Sequence, residues 1–176
     1  MKNKSALWIT TTAVLIAMLI GLQAVSASFG QIVTGSLVNM ILIIAVMKNG
    51  LASGLTVAFV SPVFARLLGI GPFWVLIPFL MLGNAVLVII WHLLGRQKFT
   101  SMLIVRMITL ITAAIGKFIT VYVGVVLIAI PFLLDLPENQ AAVISGVFSI
   151  MQFFTASIGG GVALMIMPVI NKMKPS

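Results

Sequence analysis

Residues 5–47 read SALWITTTAVLIAMLIGLQAVSASFGQIVTGSLVNMILIIAVM, a run without one formal charge. About a quarter of the residues of a soluble domain are charged, so this stretch has no means of covering a water-facing surface. It is long enough for two membrane spans of about 20 residues each, with a connector between them. The polar patch 26–31, rich in Ser, Gly and Gln, divides it and predicts helices over 7–25 and 32–47. Lys48-Asn49-Gly50 then has the chemistry of a tight turn.

The same reading extends along the chain. A third span is expected over 51–68, interrupted by Pro62 and ended by Gly69-Ile70-Gly71-Pro72. A fourth covers 73–94, with Pro78 near its start and Gly95-Arg96-Gln97-Lys98 behind it. A fifth covers 102–134 and stops at Asp135-Leu136-Pro137-Glu138-Asn139, where Pro137 helps break the helix. A sixth covers 140–170, with Pro168 near its end and the tail Asn171-Lys172-Met173-Lys174 after it. The last two exceed the length of a crossing, so tilt, kinks or interfacial extensions are expected. The fold class is therefore an all-α integral membrane bundle of six transmembrane helices in one domain, residues 1–176.

Composition agrees. The 176 residues are 62% hydrophobic and 7% charged, with a mean hydropathy of +1.31, and no room remains for a soluble domain of ordinary size. Asp135 and Glu138 are the only acidic residues. The net charge of +8 does not indicate nucleic-acid binding. Most basic residues lie at the termini or in connections, where lipid headgroups and insertion topology account for them. With no Cys there is no disulfide or thiol chemistry. Met1-Lys2-Asn3-Lys4 resembles the charged start of a signal peptide, but the apolar run behind it is too long for a signal core, and a retained helix is expected. Alternating the spans puts Lys2, Lys4, Lys48, Arg96, Lys98, Lys172 and Lys174 on one side and Asp135 and Glu138 on the other. By the positive-inside rule both termini are cytoplasmic, and the chain belongs in a prokaryotic cell membrane as a multi-pass protein.

Three basic residues fall inside spans. Arg66 and Arg106 lie near helix ends, where snorkelling to headgroups accounts for them. Lys117 lies about fifteen residues into the fifth span, ~22 Å along its axis, close to mid-depth. No span contains Asp or Glu to pair with it. It must shed its charge, bond to carbonyls and amides, or receive an anion from outside. Asn39, Asn84, Tyr122 and Gln152 are the other polar side chains at depth, each readable as interhelical glue or as part of a shared polar pocket. His92 beside Trp91 reads as an interfacial histidine, and without Cys or carboxylate neighbours it makes no metal site. Ala13, Ala17 and Gly21 share one face of the first helix at four-residue spacing, which lets another helix approach closely. Gly159-Gly160-Gly161 permits close approach or local unwinding.

Taken together, the Ala-x-x-x-Ala first helix, Thr34-Gly35-Ser36-Leu37-Val38-Asn39, Leu68-Gly69-Ile70-Gly71-Pro72, Val75-Leu76-Ile77-Pro78-Phe79 and Leu82-Gly83-Asn84 resemble the substrate-binding S component of an energy-coupling factor (ECF) vitamin transporter, over most of the chain. The resemblance implies a subunit that captures a vitamin outside the cell and docks, through Ala13 and Ala17, on a transmembrane scaffold carrying two cytoplasmic ATPases. It implies a pocket towards the outer side, with Phe29, Gln31, Asn39, Arg66, Trp74, Asn84, Lys117 and Gln152 as candidate ligand contacts. It implies no cofactor. The chain has no phosphate-binding loop of the Walker type, so it is not expected to be an enzyme and ATP hydrolysis would fall to a partner. Scarce ionic groups and abundant Met lean towards a corrinoid such as cobalamin. Pantothenate is the competitor, because its carboxylate would answer Lys117.

Other classes stay in view. An intramembrane enzyme would need carboxylates, a Ser-His or Cys-His pair, or a metal site within the spans. A secondary transporter driven by protons would be surprising without a membrane Asp or Glu. A structural or assembly subunit would use the Ala and Gly faces but need no cavity around Lys117.

Overall fold

Three glycines with left-handed backbone set breaks in this chain: Gly30 (φ 84°), Gly50 (φ 88°) and Gly69 (φ 77°). In the computed structural model, which describes residues 4–95 and 102–172, every described element is helical. Helix α1 spans Lys4–Ser26 and runs through a short 3-10 turn, Ala27–Phe29, to Gly30. Helix α2 (Gln31–Asn49) and α3 (Leu51–Leu67) meet at Gly50, a conformation L side chains adopt at a cost. At the end of α3 the amides of Gly69, Ile70 and Gly71 turn back onto the carbonyls of Arg66 and Ala65. A single turn, Trp74–Leu76, leads into α4 (Ile77–Leu94), with Pro78 in its first turn, where the missing N–H costs nothing.

The two long stretches solve their excess length differently. Helix α5 (Met102–Val121) continues without a break as a π-helix over Tyr122–Leu133, a winding with more residues per turn. The stretch expected as one span over 140–170 runs as α6 (Glu138–Phe148) and α7 (Met151–Lys172), separated at Ser149-Ile150. Pro137 caps α6. Five stretches, Ser5–Phe29, Gln31–Asn49, Trp74–Leu94, Leu103–Leu133 and Glu138–Ile170, are long and apolar enough to cross a membrane; Leu51–Leu67 is apolar but shorter. Large apolar side chains face outward along them, Phe132 and Met165 each 79% exposed. That inverts the pattern of a water-soluble bundle, and the chain is a multi-pass membrane protein. Arg96 and Lys98 in the topology expectation, with Lys2 and Lys174, lie outside the described residues.

Helix α2 is the central post, packing on α1, α3, α4 and α7, while α5 closes the far side against α4 and α7. In lipid no hydrophobic drive separates helix from helix surroundings, so close packing and interhelical hydrogen bonds carry association. Glycine sets the closest contacts. A Cβ on Gly159 of α7 would strike the Ser36 carbonyl oxygen and lie 2.8 Å from Asn39 Cβ on α2, and one on Gly83 of α4 would strike Val121 on α5. Gly160 faces Leu110 and Ile43, whereas Gly161 has open space. Through all three, α7 stays wound. Helix α1 is held by a narrower seam. Thr12, Leu19 and Ser26 are its buried residues, seven apart, with Thr12 sharing a 2.8 Å hydrogen bond with Ser53 and Ser26 bonded to Thr34 at 3.1 Å.

A buried lysine clamp beneath a polar cavity

Lys117, on α5, is 4% exposed, and its side chain reaches both α2 and α4. Its Nζ donates to Asn39 Oδ1 at 2.6 Å and to Asn84 Oδ1 at 2.7 Å. These lengths suit charge-assisted bonds. A lysine ammonium carries three donors, so the clamp leaves one for a group beside it. Asn39 is held in turn: its amide nitrogen donates to Thr155 Oγ1 at 3.3 Å, and the Thr155 hydroxyl donates to the Gln152 carbonyl at 3.2 Å. Gly159 lets α7 lie directly against Asn39, and Gly83, next to Asn84, lets α4 lie against α5 with the Lys117 stem 3.7 Å from its ideal Cβ. The glycines thus bring the helices close enough for two amide oxygens to reach one nitrogen.

Lys117 and Asn84 form part of the lining of a cavity of about 120 Å³. Gln31, Thr34, Gly35 and Val38 contribute from α2, Ser61, Pro62 and Ala65 from α3, and Ile70, Gly71 and Pro72 from the turn after α3. Gln23 of α1, Leu80 of α4, Phe148 of α6 and Gln152 of α7 complete it, so every helix reaches the same hollow. It lies at the end of the bundle that holds Gly30, Gly69 and Pro137, away from the Gly50 turn. No Asp or Glu lines it. Gln152 is 3% exposed and donates through Nε2 to the Val147 carbonyl at 3.2 Å, bridging the break between α6 and α7. Gln23 is half-buried, and its Oε1 is buried with no hydrogen-bond partner.

Of the eight residues expected at a ligand site, Gln31, Asn84, Lys117 and Gln152 line this cavity, and Asn39 stands behind Lys117 as its acceptor. Arg66 and Trp74 are outside the lining. They pair with each other, the guanidinium carbon 6.0 Å from the centre of the Trp74 ring system, next to the wall formed by Ala65 and Ile70. Phe29, 69% exposed, is also outside. Tyr122 packs its ring on Phe118, one turn away along the same helix, at 5.7 Å. The contributions of Gln23, Thr34, Ser61 and Thr155 were not anticipated. Gln23 interrupts an apolar run and is the one that sequence could have flagged. Ala13, Ala17 and Gly21 are all exposed on α1, and among the described residues a Cβ on Gly21 would meet nothing within 4 Å.

Among the described residues no group of three His, Cys, Asp or Glu stands close enough to hold a metal ion. No family model matches the chain, and it matches neither a curated protein nor a solved structure.

Proposed function

We propose that this chain is the substrate-binding subunit of an importer of the ECF type, capturing a vitamin outside the cell and delivering it through a partner module. In this reading it crosses the membrane six times with both termini in the cytoplasm of a prokaryote, and the cavity opens outward. The observation that carries the reading is the Lys117 clamp: a lysine at mid-depth, gripped by two amide oxygens and bordering a polar cavity whose lining holds no carboxylate. A purely structural lysine needs no cavity. A lysine poised for an anion needs both a spare donor and space beside it.

The placement of the basic residues supports the orientation. Lys48 lies at the opposite end of α2 from the cavity, and the acidic loop at 135–138 lies at the cavity end. The exposed row of Ala13, Ala17 and Gly21 supports docking of α1 against a scaffold subunit, which would bring two ATPases. Between the two vitamins considered, a cavity of about 120 Å³ favours the smaller. Pockets for drug-sized ligands run to roughly 300–1,000 Å³, and a corrinoid is larger than most such ligands. Pantothenate would also present a carboxylate to Lys117, although it too would require the walls to open.

Native mass spectrometry of the detergent-purified protein, titrated with a panel of vitamins, tests this. One member should be retained, and replacing Ala13 and Ala17 with Leu should abolish uptake in cells while leaving that binding intact. Retention of no member by a folded sample would return the chain to an assembly or structural role.

A further inference from the structure

We infer that the cavity selects a small monoanion: a carboxylate at one end, an apolar body, and a single neutral O–H or N–H donor towards the other. This rests on the capture reading and specifies its ligand. Charge fixes the first part. Among the described residues Lys117 is the only charged one in the lining, and burying a net charge is costly unless it is balanced. A monoanion cancels the ammonium. A dianion such as a phosphate ester would leave one negative charge uncompensated, and a zwitterion would bring a second positive charge to a wall already holding one. The spare donor of Lys117 needs an acceptor, and a carboxylate oxygen supplies the strongest kind.

Gln23 gives the second part. Its Oε1 is a buried acceptor without a partner, an arrangement that protein interiors avoid. Gln23 sits on α1, whereas Lys117 sits on α5, and these helices share no packing seam. A ligand that accepts from Lys117 and donates to Gln23, once the amide turns into the cavity, would span the hollow and satisfy both. Val38, Leu80 and Phe148 lie in the wall and suit an apolar body in between. Because α1 is otherwise held by the seam at Thr12, Leu19 and Ser26, the donor contact also fastens α1 to the ligand.

The test uses the full-length protein in nanodiscs and two matched series of probes, with affinity read by calorimetry and thermal shift. One series is 4-hydroxybutyrate, butyrate, 4-hydroxybutyramide and glutarate; the other is meta-hydroxybenzoate, benzoate, meta-hydroxybenzamide and isophthalate. In each, the hydroxy monocarboxylate should bind tightest, the neutral amide about tenfold or more weaker, the dianion weaker by at least as much, and the acid lacking the hydroxyl about three- to tenfold weaker. Gln23→Leu should erase the preference for the hydroxyl and keep the preference for the carboxylate. Because the ranking is measured on the unaltered protein, it stands even if that variant fails to fold. Neutral amides or dianions binding as well as the monocarboxylates would overturn the inference and leave capture standing. Binding by neither these probes nor the vitamin panel would overturn both.

Discussion

Two hollows of the bundle make a contrast, and the larger is the less informative. At the end holding Gly30 and Pro137 lies the cavity of about 120 Å³ over the Lys117 clamp. Towards the Gly50 end lies a groove of about 370 Å³ between α1, α2 and α7, walled by Val14, Leu15, Met18, Met40, Ile41 and Ile44 and reaching Lys48 and Asn49 at its mouth. In water such an apolar groove would call for a partner. In a bilayer it calls for none, because lipid tails are as apolar as its walls. The cavity cannot be explained that way. Its lysine, glutamines and hydroxyls are costly at depth, and that cost is what the proposed capture of a ligand would account for. In a membrane protein, polarity out of place says more than volume.

The sharpest break between the two regions is the pair Lys117→Met and Lys48→Met. The first removes the only charge in the cavity and should weaken binding of a carboxylate ligand by about a hundredfold or more, as expected when a buried charge loses its partner. The second, at the mouth of the groove, should leave affinity within about twofold. Equal losses from both, measured by titration in nanodiscs, would erase the distinction.

Asn84→Asp sharpens it further. The substitution supplies the carboxylate that the cavity lining lacks, 2.7 Å from Lys117 in the place of the amide oxygen. An internal ion pair should then occupy the ammonium, and binding of anionic ligands should fall about tenfold or more with the fold retained. If Lys117 were purely structural, the variant would keep its affinity; a titration beside a thermal melt separates the outcomes.

How much of this was legible in the sequence follows from what stands out in one dimension. Lys117, Asn39, Asn84 and Gln152 interrupt apolar runs, so their exceptional status could be read directly. That Asn39 and Asn84 would both accept from Lys117 could not, because a sequence gives axial depth along each helix but not which way each face turns. The same gap explains Phe29 and Trp74. Each sits at the right end of the bundle but outside the cavity lining. The breaks at Gly50 and Gly69 announced themselves through turn chemistry. The break at Ser149-Ile150 had no Gly or Pro to mark it, and the change to π-winding at Tyr122 falls in an apolar run with no boundary signal.

Among the glycines of α7 the expected effects are smaller and depend on the neighbour. Gly159→Ala pushes a methyl group onto α2 beside Asn39 and should destabilise the protein by about 1–3 kcal/mol through overpacking, with a parallel loss of binding as the clamp is pried apart. Gly161→Ala meets nothing within 4 Å and should be neutral or stabilising by up to about 1 kcal/mol, since alanine winds a helix better than glycine. Thermal unfolding in one detergent, with wild type alongside, reads both. A loss at Gly161 as large as that at Gly159 would mean that glycine serves helix flexibility here and not contact with the clamp.

The smallest expected effect lies in the groove. Val14→Phe adds a ring to a membrane-facing wall where Val14 is already 52% exposed. It should shift ligand affinity by less than about twofold and stability within about 0.5 kcal/mol, the usual range for a surface change. That near-silence carries information because Val14 shares α1 with Gln23, and their positions differ by nine residues, ~14 Å along the helix. If filling the groove altered affinity severalfold in the same titration, α1 would be moving as a rigid lever between the two hollows, and the recognition assigned to the cavity would extend along the whole helix.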